Sequence, residues 1–413
     1  MSMQLLIRAA AALVGLAGRR LMRMDPAGDW IPRPGCGRPP ALYVHIPFCA
    51  APCDFCAFHR FAFREAPARA YHAALRRELE QLFEAGFSFS EVYIGGGTPT
   101  ILPDELERLL ELLQRRQPDL PVSVETYPAD VTAELLELLV RGRVERLSVG
   151  VQSFDARLLR LLGRDGLPPD ELRRRLAQAR GRFSTLQLDL LYNHPAQTAA
   201  VLRRDIAAAV ATGVDQITFN PLMPPLVRGG ERGPALDPDL GRADDLYRVI
   251  DEELNGRGWR SVTSWCFAAG AGTRAEYLIE SPEYLAAGCG AVGYYDGVFH
   301  HNTFNLRRYG ELLAADRSAV VRRRAAAPWE REAYLLLGFL FGGGGSTTAL
   351  RRRMGAAPSR RVHLAGALWR LLGLNDGRPW DVGPRGRRLV NAMMQRFFGA
   401  QTRLRARAQA AGL

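Results

Sequence analysis

The chain has 413 residues and is 47% hydrophobic, enough to bury the core of one large domain and one smaller domain. Its formal charge is +12, and the sequence contains no lysine, so arginine supplies all of the basic excess. The lack of lysine excludes Schiff-base chemistry with pyridoxal phosphate and excludes a P-loop, since both need that side chain. The arginines are interleaved with aspartate and glutamate along predicted helices, which indicates solvated faces and predicts that no nucleic acid is bound.

The N-terminal residues 1–23 predict an amphipathic helix, and no stretch reaches the roughly 18 apolar residues that a membrane span requires. Residues 25–40 are rich in proline and glycine and predict a linker. The cysteines are not spaced like a disulfide framework, because three of them fall together and the others are dispersed at Cys36, Cys266 and Cys289. We therefore expect a cytoplasmic protein with a metal site.

A strand predicted over Ala41–Ile46 leads into the C-x3-C-x2-C motif formed by Cys49, Cys53 and Cys56. Four ligands normally complete a [4Fe–4S] cluster, so three cysteines leave one iron open to a small molecule. On one tight loop the three thiolates can face a single cluster, with the aromatic Phe55 shielding it from water. The alternative is a zinc site with His59 as the fourth ligand, since zinc usually takes four such ligands.

Predicted strands and helices alternate through the first half of the chain. The helices are predicted at residues 66–85, 103–115, 133–139, 170–180 and 199–211, with a further helix ending at Leu162. The six strands are Ala41–Ile46, Glu91–Ile94, Val122–Thr126, Arg146–Gly150, Thr185–Leu191 and Gln216–Asn220. This alternation predicts an α/β fold with a parallel sheet, most simply an incomplete (β/α)6 barrel.

Glycine and polar residues fall near the carboxyl ends of these strands, where barrel enzymes carry their chemistry. The segment Gly95–Pro99 follows the second strand and predicts a turn whose backbone amides cradle an anion. Glu125, Gln152 and Asp189 lie near the ends of the third, fourth and fifth strands. We therefore expect these residues to meet the cysteine loop at one rim of the barrel.

Beyond residue 221 the alternation weakens. A helix at 242–257 and a strand at Trp259–Trp265 are predicted, and a helical module begins near Pro328. Within that module, Trp380–Gly386 precedes a helix and is typical of the wing in a winged-helix fold. The sequence thus predicts an N-terminal helix and linker, a core barrel with an extension, and a small, mostly helical, winged-helix-like module, with bounds of 1–40, 41–310 and 311–413.

The segment YVHIPFC at residues 43–49, with the C-x-F that ends at Phe58, resembles the oxygen-independent coproporphyrinogen III oxidase family of radical S-adenosylmethionine (SAM) enzymes. The resemblance runs from Ala41 to about Leu404 and implies a radical SAM barrel, a [4Fe–4S] cluster on the three cysteines, and two SAM molecules. By motif position it implies contacts to the first SAM from Tyr43, Gly96 and Glu125. For the second SAM it implies a larger set: Phe55, Gly97, Thr98, Gln152, Arg164, Asp189 and, with a looser match, Leu222 and Tyr294.

The sequence departs from the oxidase itself at three places. Phe58 stands where the oxidase has a further cysteine, a short helix replaces its long N-terminal lid, and FNPLMPP follows the sixth strand. The segments WRSVTSW and GCGAVGYY look more like the family's methyltransferase members. We therefore expect a class C-type C-methyltransferase or cyclopropanase acting on an aromatic or tetrapyrrole substrate. Decarboxylation of coproporphyrinogen III and heme chaperoning are the alternatives.

The resemblance also implies a reducing partner such as flavodoxin or ferredoxin, and we expect a monomer. Methyl transfer to an sp2 carbon ends with loss of a proton, which requires a general base. The sequence identifies no catalytic residue for this step. His300 and His301 are candidates, with an ordinary loop as the alternative explanation for both.

Overall fold

One sheet contains thirteen strands of the described chain in this computed structural model, which describes residues 2–35, 37–53, 55–164, 167–223, 239–270 and 281–412. Two further strands, β3 and β4 below, pair with each other. In chain order the strands are β1 Asp25–Pro26, β2 Ala41–Ile46, β3 Phe48–Cys49, β4 Phe61–Ala62, β5 Val92–Gly96, β6 Val122–Thr126, β7 Val144–Gln152, β8 Thr185–Tyr192, β9 Gln216–Pro221, β10 Arg260–Ser261, β11 Cys266–Ala268, β12 Tyr284–Ala287, β13 Val292–Tyr295, β14 Val298–Asn302 and β15 Val320–Ala325.

Seven parallel strands form the middle of the sheet, in the order β12-β2-β5-β6-β7-β8-β9. Six of them are the predicted strands, with bounds that differ by at most two residues. Both faces of these strands are largely buried, as in β8, which is typical of a parallel sheet covered by helices. The strand order has two ends within the described residues, so the predicted incomplete barrel is confirmed.

Antiparallel strands extend the sheet at both ends: β11 and β10 follow β9, and β13, β14, β15 and β1 follow β12. The single strand predicted at Trp259–Trp265 is wrong, because only Arg260–Ser261 of this stretch is a strand (β10), and the residues after it turn back into β11. At this turn, Ser264 N–H donates to the carbonyl of Phe341 (2.9 Å) instead of to a neighbouring strand. The dispersed Cys36 lies outside the described residues.

Helices cover the sheet and begin at residues that suit helix starts. The hydroxyls of Thr132 and Thr198 accept hydrogen bonds from backbone amides three residues on, and Pro103 occupies a first helical position. The helices among the described residues are α1 Met3–Leu21, α2 Glu65–Glu84, α3 Pro103–Arg116, α4 Ala133–Arg141, α5 Ala156–Leu161, α6 Pro169–Ala179, α7 Ala199–Ala211, α8 Leu240–Asn255, α9 Leu306–Ala314, α10 Pro328–Phe341, α11 Thr347–Met354, α12 Arg360–Leu371 and α13 Pro384–Ala410.

The C-terminal module is helical, as predicted, but the expected wing at Trp380–Gly386 does not form. This stretch bonds to a glycine-rich turn: Val382 N–H donates to Gly343 O (3.1 Å), and Gly345 N–H donates to Trp380 O (3.2 Å). The backbone groups that would pair the two strands of a wing are therefore used elsewhere. The domain division at residue 310 stays a prediction, and helix α9 crosses that position.

Helix α13 connects the C-terminal module with the cysteine loop. With 27 residues it is about 40 Å long. Near its start Arg388 binds Asp244 of α8 (2.7 Å), and near its end Gln409 Nε2 lies 2.6 Å from Nδ1 of His59. Helix α1 confirms the predicted N-terminal helix and packs along α13. Within the described residues, no helix is both long and apolar enough to cross a membrane.

Candidate active site

The three cysteines lie on one loop between β2 and β4. Phe63 N–H donates to Cys49 O (2.9 Å) and joins the two ends of the loop, and Cys56 N–H donates to Cys53 O (3.3 Å) within it. Burial raises the pKa of the Cys49 thiol to about 11, and the neighbouring Cys56 sulfur adds to the rise.

Three guanidinium groups hold this loop. Arg60 donates to the carbonyl of Cys53, and Arg164 Nε donates to the sulfur of the same cysteine at 3.2 Å. Arg405, from α13, donates to the carbonyl of Ala57 at 3.1 Å. Among the described residues no carboxylate pairs with any of the three, so their positive charges have no counter-ion in that part of the chain.

His59 does not face the cysteine triplet as a fourth zinc ligand. Its Nδ1 lies 2.6 Å from Gln409 Nε2, and its Nε2 lies 3.8 Å from the sulfur of Cys289. Among the described residues, no three His, Cys, Asp or Glu side chains are arranged to ligate one metal ion. A [4Fe–4S] cluster bonds each cysteine through a different iron and so needs sulfurs that are further apart than a single ion does.

Tyr43 and Gly96 both contact His45, and the three residues lie beside the cysteine loop. His45 Nε2 donates to the carbonyl of His59 (2.8 Å), so its Nδ1 must accept the hydrogen bond of the Tyr43 hydroxyl (2.8 Å). Burial lowers the pKa of His45 to about 4, so this neutral tautomer is kept at neutral pH. Gly96 has φ +115°, and a methyl group there would overlap the His45 ring.

The amides of the glycine-rich turn are not free to cradle an anion, which corrects the prediction. Gly96 N–H donates to Glu125 Oε2 (3.0 Å), and Gly97 N–H donates to Ile46 O (2.8 Å). Thr98 N–H donates to Phe48 O (2.7 Å). The turn thus binds the start of the cysteine loop, and the anionic end of a ligand must find other donors.

Gly97→Ala is expected to disturb the cysteine loop, because a methyl group at Gly97 would lie 2.5 Å from Phe48 O and 2.9 Å from Ile46 O. Both atoms are backbone atoms, so the first residues of the loop must shift. We expect a loss of about 1–3 kcal/mol in unfolding free energy and a lower iron content after cluster reconstitution. Gly310→Ala is the control, since no atom of the described residues lies within 4 Å of its added methyl group. Equal iron content in the two variants would contradict the prediction.

Glu125 is the penultimate residue of β6, and each of its carboxylate oxygens accepts a hydrogen bond. Tyr93 Oη donates to its Oε1 at 2.7 Å, and the Gly96 amide binds its other oxygen. The Glu125 charge also raises the pKa of Tyr43, although burial is the larger cause. Tyr43, Gly96 and Glu125, which the resemblance assigns to the first SAM, are therefore brought together.

Arg164 lies over two aromatic rings, 5.0 Å from the centroid of Tyr127 and 5.6 Å from that of Phe55. It also donates to the carbonyl of Gly150, the residue that pairs with Asp189 on the neighbouring strand. Gln152 follows at a bulge in β7 with φ +69°. Predicted second-SAM residues are thus found side by side next to the cysteine loop.

Asp189 is held by polar side chains inside the sheet. Ser148 Oγ donates to its Oδ2 (2.6 Å), and Gln187 Nε2 donates to its Oδ1 (2.9 Å). Behind them, the buried Arg146 donates to Gln187 (3.2 Å) and to Gln216 (2.8 Å). Sequence reasoning missed this column, although the alternation of its polar residues with leucines along β7 and β8 is a signal that could have predicted it.

The last two predicted contacts have different surroundings. Leu222 is buried in an apolar cluster against which Phe55 packs. Tyr294 is fully buried and packs against Phe299 (4.6 Å) and Tyr334 (4.4 Å), and no contact described for it joins it to the other site residues.

The two candidate bases are also buried, and burial lowers the pKa of each to about 4. The His300 ring packs against Trp30 (5.3 Å), and the His301 ring packs against Phe304 (5.2 Å). Neither contact reaches the cysteine loop, so the geometry does not support their candidacy.

Known proteins match this chain over most of its length. The profile of the Radical SAM superfamily matches residues 43–205. Anaerobilin synthase of Escherichia coli O157:H7 is 28% identical over 295 residues, which cover 68% of this chain and 66% of that protein. Heme chaperone HemW of Mycobacterium tuberculosis is 30% identical over 295 residues, covering 67% of this chain and 75% of that protein. The structure of coproporphyrinogen III oxidase (HemN) from Escherichia coli matches with a TM-score of 0.71 and 21% identity over 92% of each chain.

The fold is therefore that of a radical SAM barrel with a helical C-terminal part. The chain belongs to the radical SAM superfamily and, within it, to the HemN-like family of oxygen-independent coproporphyrinogen III oxidase-like proteins.

Membership of this superfamily implies a [4Fe–4S] cluster and SAM. The residues present fit such a cluster, because three thiols share one loop and the three guanidinium groups around it have no carboxylate partner in the described chain. Cys49, Cys53 and Cys56 would hold the cluster. Sequence reasoning missed Arg60 and Arg405: Arg60 lies four residues after the last cysteine without a recognisable motif, and Arg405 is 348 residues from its loop contact.

Proposed function

We propose that this chain is a class C-type radical SAM C-methyltransferase, or a cyclopropanase, that acts on an sp2 carbon of an aromatic or tetrapyrrole substrate. It would bind two SAM molecules beside one cluster. The observation that supports this proposal best is the polar set next to the cysteine loop, in which Arg164 reaches from the Cys53 sulfur to the strand that pairs with Asp189.

This polar set carries both charges that a second SAM needs. SAM has a carboxylate, an ammonium group and ribose hydroxyls, which a guanidinium and a carboxylate recognise with charge-assisted hydrogen bonds. The Arg164 guanidinium and the Asp189 carboxylate supply these groups on neighbouring elements. Since Tyr43, Gly96 and Glu125 form a separate group of contacts, two ligands can be held beside the same loop.

The surrounding residues orient these charges and limit access of water. Ser148 and Gln187 fix both carboxylate oxygens of Asp189, so that it meets a ligand in one orientation. The rings of Tyr127 and Phe55 cover the Arg164 guanidinium and lower the local dielectric, which strengthens its interactions with an anion. When bound, the cluster and SAM supply the radical chemistry and the transferred carbon.

Heme chaperoning is the second candidate, and the similarity to HemW favours it. Axial ligation of heme needs an accessible histidine, cysteine, methionine or tyrosine. All seven histidines lie in the described part of the chain, and only His194 and His363 are even partly exposed. The other five are buried, which lowers the pKa of each to about 3 or 4: His45, His59, His72, His300 and His301. The scarcity of exposed imidazole groups supports the enzyme proposal.

We further propose a flavodoxin or ferredoxin as the reducing partner and a cytoplasmic monomer as the working form. The likeness to the solved coproporphyrinogen III oxidase extends to the fold alone, so decarboxylation is retained only as an outcome of the test.

The test is anaerobic. The cluster is reconstituted and reduced, SAM is added without substrate and then with candidate tetrapyrroles or aromatic compounds, and 5′-deoxyadenosine, S-adenosylhomocysteine and carbon dioxide are quantified together. Methyl transfer predicts equal amounts of 5′-deoxyadenosine and S-adenosylhomocysteine. Carbon dioxide without S-adenosylhomocysteine would establish decarboxylation instead, and retained heme without SAM cleavage would establish a chaperone.

The variant Asp189→Asn distinguishes the two proposed SAM sites from each other. It removes the charge of the proposed second site without touching the cysteine loop. We expect the ratio of S-adenosylhomocysteine to 5′-deoxyadenosine to fall about tenfold or more, equivalent to about 1.4 kcal/mol. Iron content should stay unchanged. Asp170→Asn on the exposed face of α6 is the matched control. An unchanged ratio in Asp189→Asn would remove this residue from the proposal.

A further inference from the structure

Arg405 is an arginine of the C-terminal helix that is buried next to the cysteine loop. Only 8% of its surface is exposed. One guanidinium nitrogen donates to Ala57 O, one residue from Cys56, and the guanidinium carbon lies 5.0 Å from the ring centroid of Phe58. Its Nε is buried without a hydrogen-bond partner. Part of this cation thus has no polar partner within the described residues.

No carboxylate of the described chain acts on Arg405. The groups whose charges affect it are Tyr43, Cys56 and Tyr284, and burial lowers the pKa of its guanidinium. Two other arginines of the same helix are paired in the usual way: Arg387 binds Asp251 and Arg388 binds Asp244. A buried cation without an anion is strongly destabilising, so its retention at this position calls for a counter-charge.

We propose that Arg405 is a positioning residue for the iron–sulfur cluster and that the cluster, with its three thiolates, is the missing counter-charge. Three thiolates carry more negative charge than the iron–sulfide core carries positive charge, so the unit is an anion and becomes a stronger one on reduction. A cation beside Cys56 stabilises both states and stabilises the reduced state more. Arg405 therefore raises the reduction potential of the cluster.

Because of the contact between Arg405 and the cysteine loop, the packing of helix α13 against that loop depends on whether the cluster is bound. Beyond Arg405, Gln409 lies against His59, so two successive turns of α13 contact the residues that follow the last cysteine. Without the cluster, Arg405 weakens this packing because its charge is uncompensated. With the cluster in place, the attraction holds the end of α13 against the loop. The C-terminal module thus forms part of the metal site, although it lies outside the segment that matches the superfamily profile.

The test replaces Arg405 by methionine, which keeps most of the side-chain length and removes the charge, and by lysine, which keeps the charge and removes the planar fork. Arg407→Met, two residues on and exposed, is the control. Thermal unfolding is measured with and without reconstituted cluster, and the cluster is titrated by potentiometry with detection by electron paramagnetic resonance, without SAM and then with it.

We expect cluster-free Arg405→Met to unfold at the same temperature as the parent protein or higher, and to gain less stability when the cluster is loaded. Its reduction potential should shift negative, while Arg405→Lys and Arg407→Met stay near the parent value. If Arg405→Met lost the same stability with and without the cluster and left the reduction potential unchanged, Arg405 would contribute only to packing, and the proposal would be wrong. A potential shift seen only with SAM present would assign the counter-charge to the SAM carboxylate and overturn the assignment to the cluster. Because this test does not measure methyl transfer, it can fail independently of the proposed function.

Discussion

Cys53→Ala is expected to abolish cluster binding, the largest single effect that we predict. The three sulfurs on this loop are the only protein ligands that the motif offers, and two thiolates do not hold a [4Fe–4S] cluster firmly. The Cys53 sulfur also accepts the hydrogen bond of Arg164 Nε (3.2 Å), so its loss leaves that guanidinium without this partner. The measurement is iron and sulfide per chain after anaerobic reconstitution, together with the electron paramagnetic resonance signal of the reduced protein.

Cys266→Ala is the matched control for this experiment. Cys266 is fully buried in β11, so its truncation leaves a small cavity and costs about 1 kcal/mol, but it lies far along the chain from the loop. We expect the control to bind iron at the parent level. If Cys53→Ala also retained parent-level iron and the same spectrum, the assignment of this loop as the cluster site would be wrong.

Glu78→Ala is expected to lower the unfolding free energy by about 3–5 kcal/mol, the largest effect that we predict away from the cysteine loop. Glu78 is a buried residue of α2 whose carboxylate accepts three hydrogen bonds. The donors are Gly288 N–H (2.7 Å), Asn302 Nδ2 (2.7 Å) and Tyr309 Oη (2.6 Å). Truncation leaves two buried donors, Gly288 N–H and Tyr309 Oη, without an acceptor, and each costs about 1–3 kcal/mol. Asn302 Nδ2 loses one of its two hydrogen bonds and keeps the one to Gly288 O (3.0 Å).

Chemical denaturation monitored by circular dichroism measures this effect. Glu84→Ala, at the exposed end of the same helix, should change stability by less than about 0.5 kcal/mol. Glu78→Gln keeps the shape of the side chain and an acceptor oxygen, so it should lose less than Glu78→Ala. A loss below about 1 kcal/mol for Glu78→Ala would show that water replaces the carboxylate and that the network does not join α2 to the sheet.

Local sequence patterns determined the barrel. The six predicted strands are short, largely buried runs, and several helices between them start at a threonine cap or with proline in the first turn, so neighbouring residues contain the necessary information. The cysteine spacing placed three thiols on one loop for the same reason. Membership of the radical SAM superfamily was therefore readable from the residues themselves.

Contacts between distant segments determined the remainder. The carbonyls that occupy the amides of Gly97 and Thr98 come from Ile46 and Phe48 at the start of the cysteine loop, and no pattern in the glycine-rich turn signals this. The wing at Trp380–Gly386 was mispredicted because its hydrogen bonds go to the turn at Gly343–Gly345. In both cases backbone groups found partners that local propensity does not encode.

The arginines around the cysteine loop also differ from what the sequence alone predicted. Sequence alone showed an excess of arginine, and its spread along helices predicted solvated faces. That interpretation holds for most of them, yet Arg60, Arg164 and Arg405 come from three separate segments to surround one loop, with no carboxylate of the described chain beside them. Only the tertiary structure brings them together, because the free energy of a buried charge depends on its neighbours in space and not along the chain.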